Sequence, residues 1–402
     1  MKNKRLAVIA AIVIIGIIYL AAAWLMPRGA FWITDGGNKF ILIRNLAEQG
    51  TTNITYPAAD IDPAATFFPY AGFHFRNENG KIRSFYPPYY PLLCVPWLKA
   101  AGEFGLILFT IAAALAVMGI TAGLSGMIAP GRTAVLVITV MALATPFLFY
   151  AVVLWEHMFA IMFSTAALWL LLSAIRNSQT PLRRYCLAGF LLAISCVFRE
   201  EGYLLFGSAG LALLLLRTRV KALAVLGLSW FIPLLPLWSY QYISCGHVLG
   251  SHALGYQALS QLDPVVGIWS TVVAKMSNIY VFLLKFQASA PPPDLTGVML
   301  ALPAAALTAT ALLIPNTSWR KNITTLLLPL CAVAATIETI LLFHNPEPII
   351  NTLFTQGLLT GIPLLLIWVP NLRQAWSSNA VMRFILLVWG IYTLCVCLLL
   401  NQ

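Results

Sequence analysis

The stretch LAVIAAIVIIGIIYLAAAWLM, residues 6–26, is followed a few residues later by WITDGGNKF, residues 32–40. The first is an unbroken apolar run close to the ~20 residues a helix needs to cross a bilayer. A cleavable signal peptide has a shorter core, roughly 7–15 residues. Ala21-Ala22-Ala23 imitates a cleavage site, but Trp24-Leu25-Met26 continues the run, so it reads as an uncleaved anchor. The second stretch puts an acid, two glycines, an amide and a lysine just beyond it. Asp35 there can be a helix cap, a topology mark, or a catalytic carboxylate held at the membrane surface.

The rest of the chain repeats the apolar theme. It is 60% hydrophobic and only 9% charged, against roughly 25% charged in soluble domains. This is the composition of an all-α polytopic membrane protein. About eleven spans are expected: 6–26, 105–129, 133–152, 157–175, 186–198, 203–216, 222–243, 296–315, 323–343, 352–370 and 384–400. The pair 186–198 and 203–216 also reads as one broken re-entrant unit. All belong to a single transmembrane domain, 1–402, without internal repeats.

The net charge of +11 does not point to nucleic acid, because positive charge in cytoplasmic loops orients membrane proteins. A cytoplasmic N-terminus places Lys2, Lys4, Arg5, Arg132, Arg176, Arg183, Arg184, Arg217, Arg219, Lys221, Arg320, Lys321, Arg373 and Arg383 inside. That is more than half of the 24 basic residues. The acids sort the other way. Asp35, Glu48, Asp60, Asp62, Glu78, Glu103, Glu156, Glu200, Glu201, Asp263, Asp294, Glu338 and Glu347 all fall outside, or in the outer half of a span. So do the five histidines. Groups able to do acid–base chemistry therefore share the extracytoplasmic face. A metal-bound nucleotide substrate on the carboxylate-free cytoplasmic face is disfavoured.

The largest outer segment is 27–104. NKFILIRNLAEQG, residues 38–50, suits a short interfacial helix, capped by Thr34 or Asp35 and ending at Gly50. Within FHFRNENGKIRSFY, residues 73–86, Asn79-Gly80 between alternating residues is a strong hairpin signal. SFYPPYYPLLCVPW, residues 84–97, carries Pro87, Pro88, Pro91 and Pro96, which exclude an ordinary helix interior. Its aromatics suit the headgroup belt. Shorter outer pieces are LWEHM (154–158), FREEGYLL (198–205), the fourth loop 244–295 and FHNPEP (343–348). The seven cysteines form no CxxC and no disulfide framework.

This order of parts resembles the GT-C superfamily of polytopic glycosyltransferases, which includes the protein O-mannosyltransferases and the lipid A aminoarabinose transferase. The features that carry the resemblance are TDGGNKF after the first span, the Tyr-Pro-Pro return to the membrane, and WEH between spans three and four. It covers residues 1–217. One departure is that Asp35 is followed by Gly36 and Gly37, where many relatives have a second acid. The resemblance implies a cytoplasmic (inner) membrane enzyme with an extracytoplasmic active site. The donor would be a sugar on polyprenyl phosphate, and the acceptor a hydroxyl of a glycan, lipid or protein. Inversion needs a base on that hydroxyl and positive charge on the leaving phosphate. The resemblance implies Asp35 as base with Glu156 as its partner, and Arg199 as a phosphate clamp, since a guanidinium matches phosphate bidentately. Lys39, Lys81, Arg83, His157, Glu200 and Tyr86 are further substrate-binding candidates. No cofactor is certain, and a divalent metal stays open.

Plainer roles stand beside these. Asp35 can be only a cap, and Glu156-His157 only a solvated pair. Arg199 can pair with Glu200 or Glu201. His247 and His252, five apart, suit a polar loop better than a metal. Two other function classes remain: a transporter or lipid flippase, and a polymerase or ligase using a lipid-diphosphate donor. A transporter commonly carries intramembrane charges and paired repeats; this chain has few such charges, no evident repeat and a large outer first loop.

Overall fold

The computed structural model describes residues 2–250, apart from 26–30, 32–33, 55, 57, 59, 65, 68–74, 79–80, 85, 129–132, 144–146 and 178–180, and also residues 380–399. Ten helices and a small sheet are present among the described residues. They are α1 (Lys2–Leu25), α2 (Thr34–Gln49), β1 (Asn53–Ile54), β2 (Phe75–Glu78), β3 (Lys81–Ser84), α3 (Tyr89–Ile128), α4 (Thr133–Leu143), α5 (Phe147–Val152), α6 (His157–Arg176), α7 (Arg183–Phe198), α8 (Glu201–Leu215), α9 (Val220–Cys245) and α10 (Ala380–Leu399). Four are long and apolar enough to cross a membrane: Arg5–Leu25, Tyr89–Met127, His157–Arg176 and Val220–Ile243. The chain is a multi-pass membrane protein. The expected spans 296–315, 323–343 and 352–370 lie outside the described residues, as do residues 251–295 of the fourth outer loop.

Helices α1, α3, α4, α5 and α6 share one apolar core, which holds Ile15, Tyr19, Met118, Ile138, Leu148 and Met158. The Tyr19 hydroxyl lies in that core and donates to the Ala142 carbonyl at 2.9 Å, which ties α1 to the end of α4. Helices α6 to α10 enclose a second core around Leu171, Leu192, Leu213, Leu226 and Phe384. Small residues set the spacing there. A side chain on Gly189 would meet the Leu226 carbonyl oxygen at 2.3 Å, so α7 and α9 approach at backbone distance. Between α6 and α7, the Ser164 and Ser195 hydroxyls lie 2.7 Å apart. Such small-residue contacts are how apolar helices associate without a hydrophobic driving force.

The first outer segment matches expectation in two places. Helix α2 ends at Gly50, which adopts a positive φ of 68° while its N–H bonds the Leu46 carbonyl. Strands β2 and β3 pair antiparallel with Glu78 opposite Lys81, as expected of a hairpin; residues 79–80 themselves lie outside the described residues. The short strand β1 adds to the other edge of β3, in the order β1-β3-β2.

Three expectations are corrected. The prolines of residues 84–97 do not exclude a helix, because α3 begins at Tyr89. Pro91 falls in its first turn, where N–H groups have no helical partner. Pro96 lies inside the helix, on an exposed face. The break comes later, at Ala101 and Gly102, where Gly102 takes φ 62° and ψ −152°. That backbone favours glycine. Second, the span expected at 133–152 holds two described helices, α4 and α5, on either side of residues 144–146. Third, Thr34 and Asp35 both lie inside α2. Asp35 is therefore a first-turn residue rather than the cap.

Candidate active site

The helix directions decide where the polar side chains meet. Asp35 and Lys39 are on the first turns of α2, and Tyr86 follows β3. Glu156 lies between α5 and α6, Arg199 and Glu200 lie between α7 and α8, and Glu201 opens α8. All of these points are at the same end of the helix bundle, so residues far apart in sequence form one cluster.

Helix α2 presents Asn38, Lys39, Leu42 and Ile43 as its buried face. Lys39 is only 2% exposed, which is rare for lysine unless paired. Its Nζ lies 2.9 Å from Glu156 Oε2 and 4.0 Å from Asp35 Oδ2. The Glu156 contact is charge pairing, without hydrogen-bond alignment. The ammonium also lies 4.1 Å from the centre of the Tyr86 ring and 5.8 Å from that of Trp155, within cation–π range.

Tyr86 donates its hydroxyl to Asp35 Oδ1 at 2.5 Å. Burial, and then this bond, push the Tyr86 phenol above its ordinary range, so it stays a donor. Asp35 is 28% exposed, whereas Glu156 is 7% exposed. Of the two carboxylates, Asp35 is the one an incoming molecule can reach.

Glu156 Oε1 lies 3.6 Å from Arg199 Nη1. The guanidinium gives its other edge to Glu201, with Nε at 3.0 Å and Nη2 at 2.5 Å. Burial works against the Arg199 charge, and the hydrogen bonds and charges of Glu201, Glu156 and Glu200 more than reverse it. Burial also pushes the Glu200 carboxyl up to about 7, with Arg199 opposing and Glu201 adding to the rise. A carboxyl at that value exchanges its proton near neutral pH.

His157 stacks on Tyr150 with ring centroids 4.7 Å apart and lies against Trp155 at 4.0 Å. Lys81 and Arg83 are on β3, opposite Glu78 and Arg76, and their side chains lie outside the described residues. Cys94 and Cys196 are buried and free, and Cys186 is exposed and free. His247 Nδ1 accepts from the Leu249 N–H, and His252 lies outside the described residues.

The cluster thus unites Asp35, Lys39, Tyr86, Glu156, His157, Arg199 and Glu200. Asn38 was not anticipated. It is fully buried, and among the described residues neither amide atom has a hydrogen-bond partner. Its position three residues after Asp35 on one helix was the available signal.

Two carboxylates from separate elements are a usual cradle for a divalent cation. Here the Lys39 ammonium lies against both. Among the described residues no three of His, Cys, Asp and Glu gather as metal ligands.

No family model matches the chain, and no curated protein sequence matches it. The structure is similar to the crystal structure of the Archaeoglobus fulgidus oligosaccharyltransferase in its apo form, with a TM-score of 0.45 at 12% identity. The match covers 98% of this chain and 54% of that one, so this chain spans about half that protein's length.

Proposed function

We propose that the protein is a membrane glycosyltransferase that moves a sugar from a polyprenyl-phosphate donor to an acceptor hydroxyl at the extracytoplasmic membrane surface, with inversion. The observation that carries this is the cluster itself. A reachable carboxylate, Asp35, stands beside a buried Lys39–Glu156–Arg199 array at one end of an apolar bundle. The reaction needs those two functions side by side.

Asp35 takes the role of base. Its Oδ1 is held by the Tyr86 hydroxyl, which leaves Oδ2 to orient the acceptor hydroxyl and accept its proton. The oxygen freed of its proton attacks the anomeric carbon as the bond to the phosphate oxygen breaks. The leaving phosphate takes up the negative charge. Nε and Nη2 of Arg199 are bonded to Glu201, and Nη1 lies 3.6 Å from Glu156 Oε1, beyond hydrogen-bond distance, so Nη1 is the donor left to meet the phosphate. Lys39 adds positive charge between Asp35 and Glu156. Glu156 positions both cations from 7% exposure, and so acts as a positioning residue rather than as the base. His157, stacked on Tyr150 and packed against Trp155, braces the wall beside Glu156.

The test is turnover of a polyprenyl-phosphate sugar by the purified full chain in detergent or nanodiscs. Release of polyprenyl monophosphate with transfer to an acceptor supports the proposal. Transfer only from a lipid diphosphate would move the protein to the polymerase or ligase class. Lipid movement across a vesicle wall without sugar transfer would make it a flippase.

A further inference from the structure

A second polar site lies at the other end of the bundle. Helix α6 leaves the cluster at His157 and ends at Arg176. Twenty residues at about 1.5 Å each carry it roughly 30 Å. Helix α7 returns from Arg183 to Phe198. At the far ends of these two helices is a cavity of about 670 Å³, walled by Met127, Trp169, Leu170 and Leu187 and carrying Arg176, Arg183 and Arg184 at its polar side. That volume falls within the roughly 300–1,000 Å³ of ordinary ligand pockets.

The charges of this cavity are uncompensated. No acid lines it. Among the described residues no carboxylate pairs with the three arginines. Arg184 bonds the Ser173 carbonyl at 3.1 Å and so closes the end of α6, while Arg176 and Arg183 are exposed. The apolar side is also open, with Trp169 39% and Leu187 40% exposed. Unpaired guanidiniums beside an apolar wall, at the end of membrane-length helices, match a ligand with a phosphate joined to a hydrocarbon chain. Basic pockets between membrane helices hold such headgroups.

We propose that this cavity binds an anionic phospholipid, with its phosphate on Arg176 and Arg183 and an acyl chain along Trp169, Leu170 and Leu187. This lipid site is independent of the transfer chemistry and lies in the leaflet opposite the candidate active site.

The experiment measures thermal protection of the full chain in detergent, titrated separately with phosphatidylglycerol, phosphatidylcholine and glycerol phosphate. Saturable protection by phosphatidylglycerol alone is expected. Each guanidinium beside an anionic headgroup is worth about fivefold in affinity, so Arg176→Gln with Arg183→Gln should weaken binding about 25-fold. Arg219→Gln with Lys221→Gln removes the same charge from the same end outside the cavity, and should leave binding unchanged. Leu187→Trp fills the apolar wall with every charge intact and should also weaken binding, which covers the case of a double variant that does not fold. Equal protection by phosphatidylcholine, full protection by glycerol phosphate, or equal loss in the control pair would each overturn the lipid site.

Discussion

Lys39→Met removes the cation at the centre of the cluster while keeping the length and apolar stem of the side chain. At 2.9 Å and an effective dielectric of ~20, its attraction to Glu156 is about 6 kcal/mol before desolvation. Desolvation of the two ions offsets most of that, so the pair is close to neutral overall. Losing one partner is different. Glu156, at 7% exposure, would keep its charge with only Arg199 at 3.6 Å to answer it. Breaking a buried pair costs about 3–5 kcal/mol, and the remaining arginine places Lys39→Met near the lower end. Glu156→Gln should cost a similar amount. The double variant should cost far less than the sum, with a coupling of roughly 2 kcal/mol, within the usual span for residues in one network. Thermal or denaturant unfolding of the four proteins in one detergent gives the cycle. Additive costs would refute the claim that Lys39 and Glu156 act as a pair.

Three further predictions follow from the geometry. Arg199→Lys keeps charge but loses the planar fork that Glu201 holds and that aims Nη1, so donor turnover should stay impaired, and Arg199→Ala should lose more; normal turnover in the alanine variant would remove the phosphate clamp. The Glu200 carboxyl at about 7 binds a proton in the folded protein at pH values where the unfolded chain does not, so stability should fall as pH rises from about 4.3 through 7. The unfolding midpoint of Glu200→Gln should be flatter over that interval, and an unchanged slope would contradict the assignment. Finally, a cysteine placed at Asn79 should label from outside intact cells, and one placed at Gln179 only after permeabilisation, with the reverse pattern overturning the orientation.

Much of the frame was legible in local chemistry. The membrane-length run of α1, the β2–β3 pairing and the Gly50 stop each depend on near neighbours in sequence. Helix α3 was not legible from its prolines, because a proline's cost depends on where it falls. Pro91 is in a first turn and Pro96 on an exposed face, while the actual break is Gly102. The division between α4 and α5 had a local signal, Thr145-Pro146, inside a run that is otherwise apolar enough to read as one span. Strand β1, Asn53–Ile54, is too short to show alternation.

The site divides in the same way. Asp35, Glu156 and Arg199 are polar residues at the ends of apolar runs, where charge is costly and noticeable. Lys39 ranked below them in the sequence because it looks like an ordinary interfacial cation. Its importance comes from Glu156, which only the packing of α2 against the α5–α6 connection brings within 2.9 Å. The occupation of Arg199 by Glu201 was one of two pairings its neighbours allowed, and side-chain direction selected it.

The most direct test of the central claim is sugar transfer by purified Asp35→Asn with a polyprenyl-phosphate donor, beside wild type. Asparagine keeps an oxygen to accept from Tyr86 and loses the charge that can take a proton. The Lys39 contact is long, at 4.0 Å, its Asp35 end is 28% exposed, and Lys39 keeps Glu156 as its closer partner, so protein level and unfolding should hardly change. Transfer should fall by roughly 10²–10⁴-fold, the usual worth of a general base. Wild-type transfer by this variant would contradict the account and leave Asp35 as a first-turn residue favoured by the helix dipole.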